Sequence, residues 1–550
     1  MALGPSSLSW ASGMRALSAL AIVLSGGFLL VALAVRIRHY GYFGESLMDD
    51  SFFFVRYADV FLDTGVFGWN RGEGPVHGNT SQLYQMLVTV AHALLGRDAV
   101  LVLTVAAALG AIAYLVAMPL AYAVARPRID PTVRMIVCAA AVVLIAFDGQ
   151  LFLLLGTGME TTWAMTMVVL SLAATFRLQN GSTGRAAVLL CAVAIMLVYA
   201  VRPDAVLLAL SAPAGLALFA TDEKRRRAAL QACALGVVLV GLFMAACWLY
   251  YGDALPLAFQ AKTIGLTQLP PDGRDEVLGY PFTHLRDTIL LHQPEALLGL
   301  GALLVFPRLS PILRGAALGM LAYVAYHLFL VLPIMGYFGR FYAPALPVLL
   351  LLALHVVEGI VAHSGLARGL RYLTFSGVML LVGLGLLIAS KTALTGLRVM
   401  ASHRPALEAQ ASLDTAQGAI AHAAQAFPFF RGRMVALVEA LGAECSIAAT
   451  EDGLLSAYAR NRRIIDLSGL HDPTMARHGF SADRLLGEQK PDVLAMPHPW
   501  YGDWTRALQA NPALARDYDV EPAFTEAGRP IAFRRDSVCA QRVRRAVYPG

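Results

Sequence analysis

The feature that most limits what this chain can fold into is a series of apolar runs, each about 18 to 25 residues long, recurring from the first segment to about residue 392 and then ceasing. A run of that length crosses a hydrocarbon core of roughly 30 Å as a helix, the form in which a single segment satisfies all its own backbone polar groups. With 57% apolar and 15% charged residues among 550, and a mean hydropathy of +0.61, the chain falls outside the soluble globular range. The net charge of +6 does not imply nucleic acid, because Lys and Arg cluster in short loops, where they set topology.

The first run, Met14 to Val35, is longer than a signal-peptide core and has no small-residue cleavage site after it, so it reads as a retained helix. Further spans are expected at 98–125, 134–148, 151–176, 186–201, 203–220, 229–250, 295–306, 315–335, 340–361 and 371–392, about eleven in all. The piece at 83–95 is too short to span and belongs at the interface or against the bundle.

Basic residues pick out one alternating set of loops: Arg126, Arg128 and Arg134; Arg177 and Arg185; Lys224 to Arg227; Arg308 and Arg314; Arg368 and Arg371. The positive-inside bias makes that set cytoplasmic, together with the N-terminus. The opposite set is then extracytoplasmic: the first external loop 36–97, the loops near 149, 202 and 251–294, the 336–340 turn and everything after 392. Arg36, Arg38, Arg56 and Arg71 lie in the first external loop against the bias, either to bind an anion or simply to solvate a long loop.

Residues 1–392 thus read as a transmembrane unit and 393–550 as a soluble α/β domain. In the latter, the short apolar stretches Met434–Leu441, Cys445–Thr450, Arg463–Leu467 and Asp492–Met496 alternate with helical segments such as Leu407–Ala426. Cys138, Cys191, Cys233 and Cys247 sit inside apolar spans. Cys445 and Cys539 are the only two in the polar region, where an extracytoplasmic location permits a disulfide; sequence alone does not place them within bonding range.

Chemistry concentrates on the external side. Met48-Asp49-Asp50-Ser51 places two adjacent carboxylates just beyond the first helix, and their mutual repulsion in a low dielectric raises a pKa toward that of a general base. The same pair also suits the N-terminus of the next helix. Downstream come a Gly-rich segment at 72–81 with His77, Asn79 and Thr80, then Gly158-Met159-Glu160, Arg202-Pro203-Asp204, Tyr251-Gly252-Asp253, and the turn Gly336 to Tyr342 containing Tyr337 and Arg340. Snorkelling charges and aromatic belts also collect at such ends. Carboxylates, arginines and tyrosines gathered at one leaflet are what an enzyme needs to take a phosphate-bearing amphiphile from a bilayer and transfer its polar head.

Taken in order, these elements resemble the GT-C glycosyltransferases, most closely the branch of mycobacterial terminal β-arabinofuranosyltransferases and their bacterial relatives. The matching residues are the acidic pair; Asp63-Thr64-Gly65 through Trp69-Asn70, Gly72-Glu73 and Val76 to Ser81; Gly158 to Thr161; Arg202-Pro203-Asp204; Tyr251 to Asp253 with Pro256 and Ala261-Lys262; and Gly339-Arg340-Phe341 with Pro344. In the tail, Asp452-Gly453, Ile465 to Leu467, Gly469-Leu470, Asp472-Pro473 and Lys490-Pro491-Asp492 continue the pattern.

The resemblance implies a GT-C fold in a bacterial inner membrane, with the active site and C-terminal domain extracytoplasmic. It implies inverting transfer from a polyprenyl-phosphate sugar to an envelope glycan, lipid or protein acceptor, the sugar being arabinofuranose, mannose or another pentose or hexose. Asp49 or Asp50 would be the base. Arg340, with Arg202 and Lys262, would hold the donor phosphate, and Glu160, Asp253, His77, Asn79 and Tyr337 would bind substrate. A divalent cation, used by some members of the superfamily, is left open. The alternative, a transporter or flippase of lipid-linked sugars, calls for ionisable residues at mid-span and half-to-half symmetry, of which the sequence shows little.

Overall fold

The computed structural model describes residues 5–38, 47–96, 98–146, 148–261, 282–283, 285–286, 288, 293–331, 339–363, 433–498, 501–522 and 529–548. The expected span 371–392, the helix Leu407–Ala426, the boundary at 392, Lys262 and Tyr337 lie outside them.

The N-terminal part is helical: α1 (Pro5–Arg38), α2 (Ser51–Thr64), α3 (Gln82–Leu95), α4 (Ala99–Ala125), α5 (Pro131–Ala146), α6 (Gly149–Gly156), α7 (Thr161–Gln179), α8 (Arg185–Val201), α9 (Val206–Phe219), α10 (Glu223–Tyr251), α11 (Gln293–Leu303), α12 (Pro311–Phe329) and α13 (Leu346–His363). Among the described residues, six stretches are helical, long and apolar enough to cross a membrane: Arg15–Ala34, Ala99–Ala125, Thr161–Gln179, Glu223–Tyr251, Pro311–Phe329 and Ala343–Val361.

Two expectations need correction. The span expected at 151–176 is broken at Thr157–Glu160, where the chain leaves α6 and re-enters as α7. Helix α1 continues to Arg38, so Arg36 and Arg38 belong to its last turn and not to a loop.

With no hydrophobic drive between helices in lipid, close packing needs small residues. Helices α9 and α12 meet at Gly215 and Gly315, where a Cβ on Gly315 would stand 2.5 Å from the Gly215 Cα and 2.3 Å from the Ser211 carbonyl oxygen.

The C-terminal part is a five-stranded sheet with short helices. In chain order its elements are α14 (Arg433–Ala440), β1 (Ser446–Ala449), α15 (Gly453–Tyr458), β2 (Arg463–Asp466), α16 (Pro473–His478), β3 (Val493–Ala495), α17 (Gly502–Ala510), α18 (Pro512–Asp517), β4 (Tyr518–Glu521), β5 (Ile531–Arg534) and α19 (Val538–Val547). The strand order is β2-β1-β3-β5-β4. Strands β2, β1 and β3 run parallel, with Ile447 opposite both Ile464 and Val493, and β5 and β4 add antiparallel.

The apolar stretch Met434–Leu441 is a helix, not a strand, because its apolar residues recur at helical spacing: Leu437, Val438 and Leu441 are buried while Glu439 is not. Strands β4 and β5 are short, and no apolar run marks β4. Asp492 ties the sheet together, accepting from the Ser446 amide (2.8 Å) and hydroxyl (2.9 Å), the Ser537 hydroxyl (2.7 Å) and Arg534 (2.8 Å). Cys445 and Cys539 are bonded, linking the start of β1 to α19. One apolar core runs through both parts, with Phe52, Phe53 and Tyr57 of α2 packed in the same cluster as Leu454, Leu455 and Ile464.

Candidate active site

The acidic pair precedes α2, and its two members face different partners. Asp50 occupies the N-cap position of α2, yet its side chain makes no capping bond. Its Oδ2 instead accepts from Arg340 Nη2 at 2.9 Å, and 22% of the Asp50 side chain stays exposed. Arg340 is buried, with Nη1 at 3.5 Å from Met48 Sδ and Nε without a hydrogen-bond partner among the described residues.

The Phe341 ring carries two guanidinium groups, Arg340 at 5.2 Å and Arg202 at 5.3 Å from its centroid. Arg202 is gripped by Glu160 (3.0 Å) and Asp204 (3.1 Å). His327 Nε2 lies 2.9 Å from Asp204 Oδ2, and Tyr323 donates to the Phe341 carbonyl at 2.9 Å. The Thr157–Glu160 break is held against the pair by the Met48 amide, which donates to the Thr157 carbonyl at 3.1 Å. The Asp50–Arg340 and Glu160–Arg202 pairs, 290 and 42 positions apart in sequence, therefore meet at the Phe341 ring.

Asp49 serves a different helix. Its Oδ2 accepts the Gly453 amide at 2.9 Å and its Oδ1 the Leu454 amide at 2.8 Å, so it caps α15 from 404 positions away. Asp452, the residue at α15's own N-cap position, makes no capping bond. A Cβ on Gly453 would stand 2.0 Å from the Asp49 carbonyl oxygen, so only glycine allows this approach.

Arg56 binds the other end of α15. It is fully buried and donates to the carbonyls of Ser456 (3.4 Å), Ala459 (3.5 Å), Arg460 and Arg462 (2.9 Å), as well as to the Trp69 carbonyl (2.8 Å) and Asn70 Oδ1 (3.0 Å). A carboxylate at the amide end and a guanidinium at the carbonyl end match the helix dipole. Arg56 is thus bound to backbone, as is Asn70, which exchanges hydrogen bonds with the Ile464 amide and carbonyl at 2.9 Å each.

Burial dominates the electrostatics of this junction. It pushes Asp49 up to about 6, with Asp50 adding to the rise and the two amides opposing it. Asp466 is likewise pushed up to about 6 by burial, although it accepts from Ser468 and the His471 amide. Asp452, fully buried near Asp466 and Asp49, is held well above the usual carboxylate range. His471 is stacked on Trp69 at 3.8 Å, hydrogen-bonded to Tyr57 at 3.1 Å, and kept neutral by burial.

The remaining expected residues sit apart from the Asp50–Arg340 pair's direct contacts. His77 is buried, stacked on Tyr251 at 4.7 Å and hydrogen-bonded to the Asp253 carbonyl at 2.9 Å. Asn79 is buried against Gln85 and Gln82. Asp253 bridges to Arg477 at 2.5 Å, a further tie between the two parts of the chain. Among the described residues, Glu444, Cys445 and Cys539 form the one His/Cys/Asp/Glu group tight enough to hold a metal ion, and the bond between the two cysteines removes it.

Comparison with solved structures gives the architecture a precedent. Two structures of ArnT from Cupriavidus metallidurans match over nearly the whole chain. The undecaprenyl-phosphate-bound form aligns with a TM-score of 0.51 at 12% identity, covering 92% of this chain and 97% of that one. The apo form aligns with a TM-score of 0.50 at 12% identity, covering 96% and 98%. The chain has the GT-C fold. Residues 419–541 match a family model described as a domain of unknown function, DUF8728. No curated protein matches the sequence.

Within this GT-C architecture, several groups at the junction were not singled out as site residues by sequence: His327 and Tyr323 next to Phe341, Asp452 beside Asp49, His471 against Trp69 and Tyr57, and Glu451, His498 and Tyr501 in the loops that leave β1 and β3. His327 lies in a long apolar helix, where a lone histidine carries no spacing signal. Tyr323 lies one turn before it in the same helix; the others belong to the tail and come near the first external loop only through tertiary contacts.

Proposed function

We propose that the protein is an inverting glycosyltransferase that moves a sugar from a polyprenyl-phosphate donor to a hydroxyl acceptor on the extracytoplasmic face of a bacterial inner membrane. The observation that carries this reading is the Arg340–Asp50 pair at 2.9 Å, a buried cation and a partly exposed carboxylate at one end of a GT-C bundle. The precedent of an ArnT structure holding undecaprenyl phosphate in the same fold supports the donor class.

In this reading Asp50 is the base. Both oxygens of Asp49 are already taken by the α15 amides, which makes it a holder of the junction. A donor phosphate engaging Arg340 draws the guanidinium from Asp50 and leaves the carboxylate to receive the acceptor proton. The acceptor oxygen bonds to the anomeric carbon, the bond from that carbon to the phosphate oxygen breaks, and its electron pair leaves with the phosphate, whose charge Arg340 stabilises. Arg202, satisfied by Glu160 and Asp204, supports Arg340 through the shared Phe341 ring. Arabinofuranose is the sugar to which the motif order points.

The deciding experiment is transfer by the purified protein in lipid, using polyprenyl-phosphate arabinofuranose, polyprenyl-phosphate mannose and a further pentose donor. Product from one donor that disappears in Asp50→Asn supports the reading. Absence of product with every donor, in protein that melts cooperatively, sinks it.

A further inference from the structure

Strand β1 lies between β2 and β3, so the chain leaves β1 on one side and returns to it on the other. In open α/β sheets the crevice at such a reversal, outside the carboxyl ends of the strands, is where ligands bind. Here the loop leaving β1 is Thr450-Glu451-Asp452, and the loop leaving β3 carries His498 and Tyr501. The two loops face each other, since the His498 amide donates to Thr450 Oγ1 at 3.1 Å and His498 Nε2 lies 3.5 Å from Glu451 Oε1. Arg529 pairs with the same Glu451.

This crevice adjoins the acidic pair, because Asp49 bonds to the two amides that directly follow Asp452. Asp452 itself is fully buried, and among the described residues neither of its carboxyl oxygens has a hydrogen-bond partner. A buried polar group in that state is costly, and native proteins keep few of them. The rim is accessible: the Glu451 side chain is 43% exposed and that of His498 is 32% exposed. The Tyr501 ring stacks on Trp504 at 4.1 Å. Its phenol lies in the field of Asp466, Asp50, Glu451 and Asp452.

We propose that this crevice is the acceptor subsite, taking a neutral, hydroxyl-rich saccharide whose hydroxyl groups are bound by Glu451, His498 and Tyr501 above the unpartnered Asp452. Carboxylates accept from paired hydroxyls, and an aromatic ring offers a face to the apolar side of a sugar. Asp49, Asp50, Glu451 and Asp466 together repel phosphorylated or otherwise anionic acceptors, which leaves phosphate recognition to the Arg340 side. The proposal rests on the transferase reading and assigns the residues matching the domain of unknown function the choice of acceptor.

The test uses the full-length protein in nanodiscs, with saturation-transfer NMR to methyl α-D-arabinofuranoside, methyl α-D-mannopyranoside, mannose 6-phosphate and a serine- and threonine-containing peptide. At least one neutral glycoside is expected to bind the wild type, with affinity falling at least 10-fold in Glu451→Gln and Tyr501→Phe and no binding of mannose 6-phosphate. The rim position of Glu451 and the conservative Tyr501→Phe change keep folding intact, which thermal melts of the same samples check. Equal binding by both variants, binding of mannose 6-phosphate as tight as that of the glycosides, binding of the peptide alone, or no binding of any probe each overturns the subsite. Donor turnover measured in parallel separates the two proposals. Glycoside binding that depends on Glu451, with no donor turned over, removes the transferase reading and keeps the subsite. Donor turnover whose acceptor KM is unchanged by Glu451→Gln does the reverse.

Discussion

Asp49 and Arg56, seven residues apart at the start of one helix, hold the two ends of another: Asp49 takes the first amides of α15, and Arg56 takes its last carbonyls. The six residues Gly453–Tyr458 are too few to form a stable helix alone. Their order depends on charges from the N-terminal part, and the placement of the acidic pair depends on them in return.

Gly453→Ala therefore breaks the junction without touching the membrane helices. The added methyl meets backbone at 2.0 Å, which no rotamer relieves. Membrane insertion is expected to be unchanged, limited proteolysis in the 433–498 region to accelerate, and transfer to fall by at least an order of magnitude. Protease resistance and activity equal to wild type would refute the junction's role.

Asp50→Asn and Arg340→Lys test the pair itself. Removing a general base costs about 10²- to 10⁴-fold, and that loss is expected in kcat for Asp50→Asn. Arg340→Lys keeps the charge but loses the fork geometry, so its main expected effect is a raised donor KM. Steady-state kinetics on both variants separate the two roles.

Arg202 is expected to act on folding before chemistry. Removing one partner of a buried ion pair leaves an uncompensated charge and costs about 3–5 kcal/mol. Arg202→Ala should leave Glu160 in that condition, while Asp204 keeps His327 and Tyr323, and should sharply lower both the yield and the melting temperature of the detergent-solubilised protein. Arg202→Ala that melts like wild type and loses only donor affinity would assign Arg202 to the donor phosphate instead.

The pH dependence of stability has a definite sign. Asp49 and Asp466 titrate near 6 when folded and near 3.9 when unfolded. The folded state binds the extra protons between those values, so the contribution is full below about pH 4 and is lost as pH rises through 6. From pH 5 to pH 7 each group should lower stability by about 1 kcal/mol. Melting curves at the two pH values should show the drop in wild type and a smaller one in Asp466→Asn.

The disulfide closes 94 residues, and a loop of that length is worth about 4–5 kcal/mol at most in the chain-entropy view. Cys445→Ser with Cys539→Ser should lower the melting temperature of the C-terminal part by several degrees, with addition of reductant to the wild type moving it the same way.

The membrane helices and the parallel strands were readable because periodicity is local: a span declares itself by length, and β1, β2 and β3 by short apolar runs between turn residues. The resemblance implied one site holding the acidic pair and Arg340, but not that Asp50 and Arg340 bond to each other. What sequence did not show was the division of labour inside the pair, because the partners of Asp49 lie some 400 positions away and are backbone amides, which leave no trace in composition. The same applies to Arg56, which looked suited to an anion and is bound to the backbone of the C-terminal part. Lys490-Pro491-Asp492 matched as a motif, yet the work of Asp492 is to fasten strands.

The trans-capped helix also fixes an order of events in biogenesis. Asp49 and Arg56 leave the ribosome some 400 residues before the segment that satisfies them, so throughout synthesis the first polar stretch carries charges without their final partners. Only when Gly453–Tyr458 arrives can the junction close. A chain truncated before that point would hold all its described membrane helices and still lack the closed junction, which makes completion of the last quarter of the polypeptide the step that turns an inserted bundle into a finished fold.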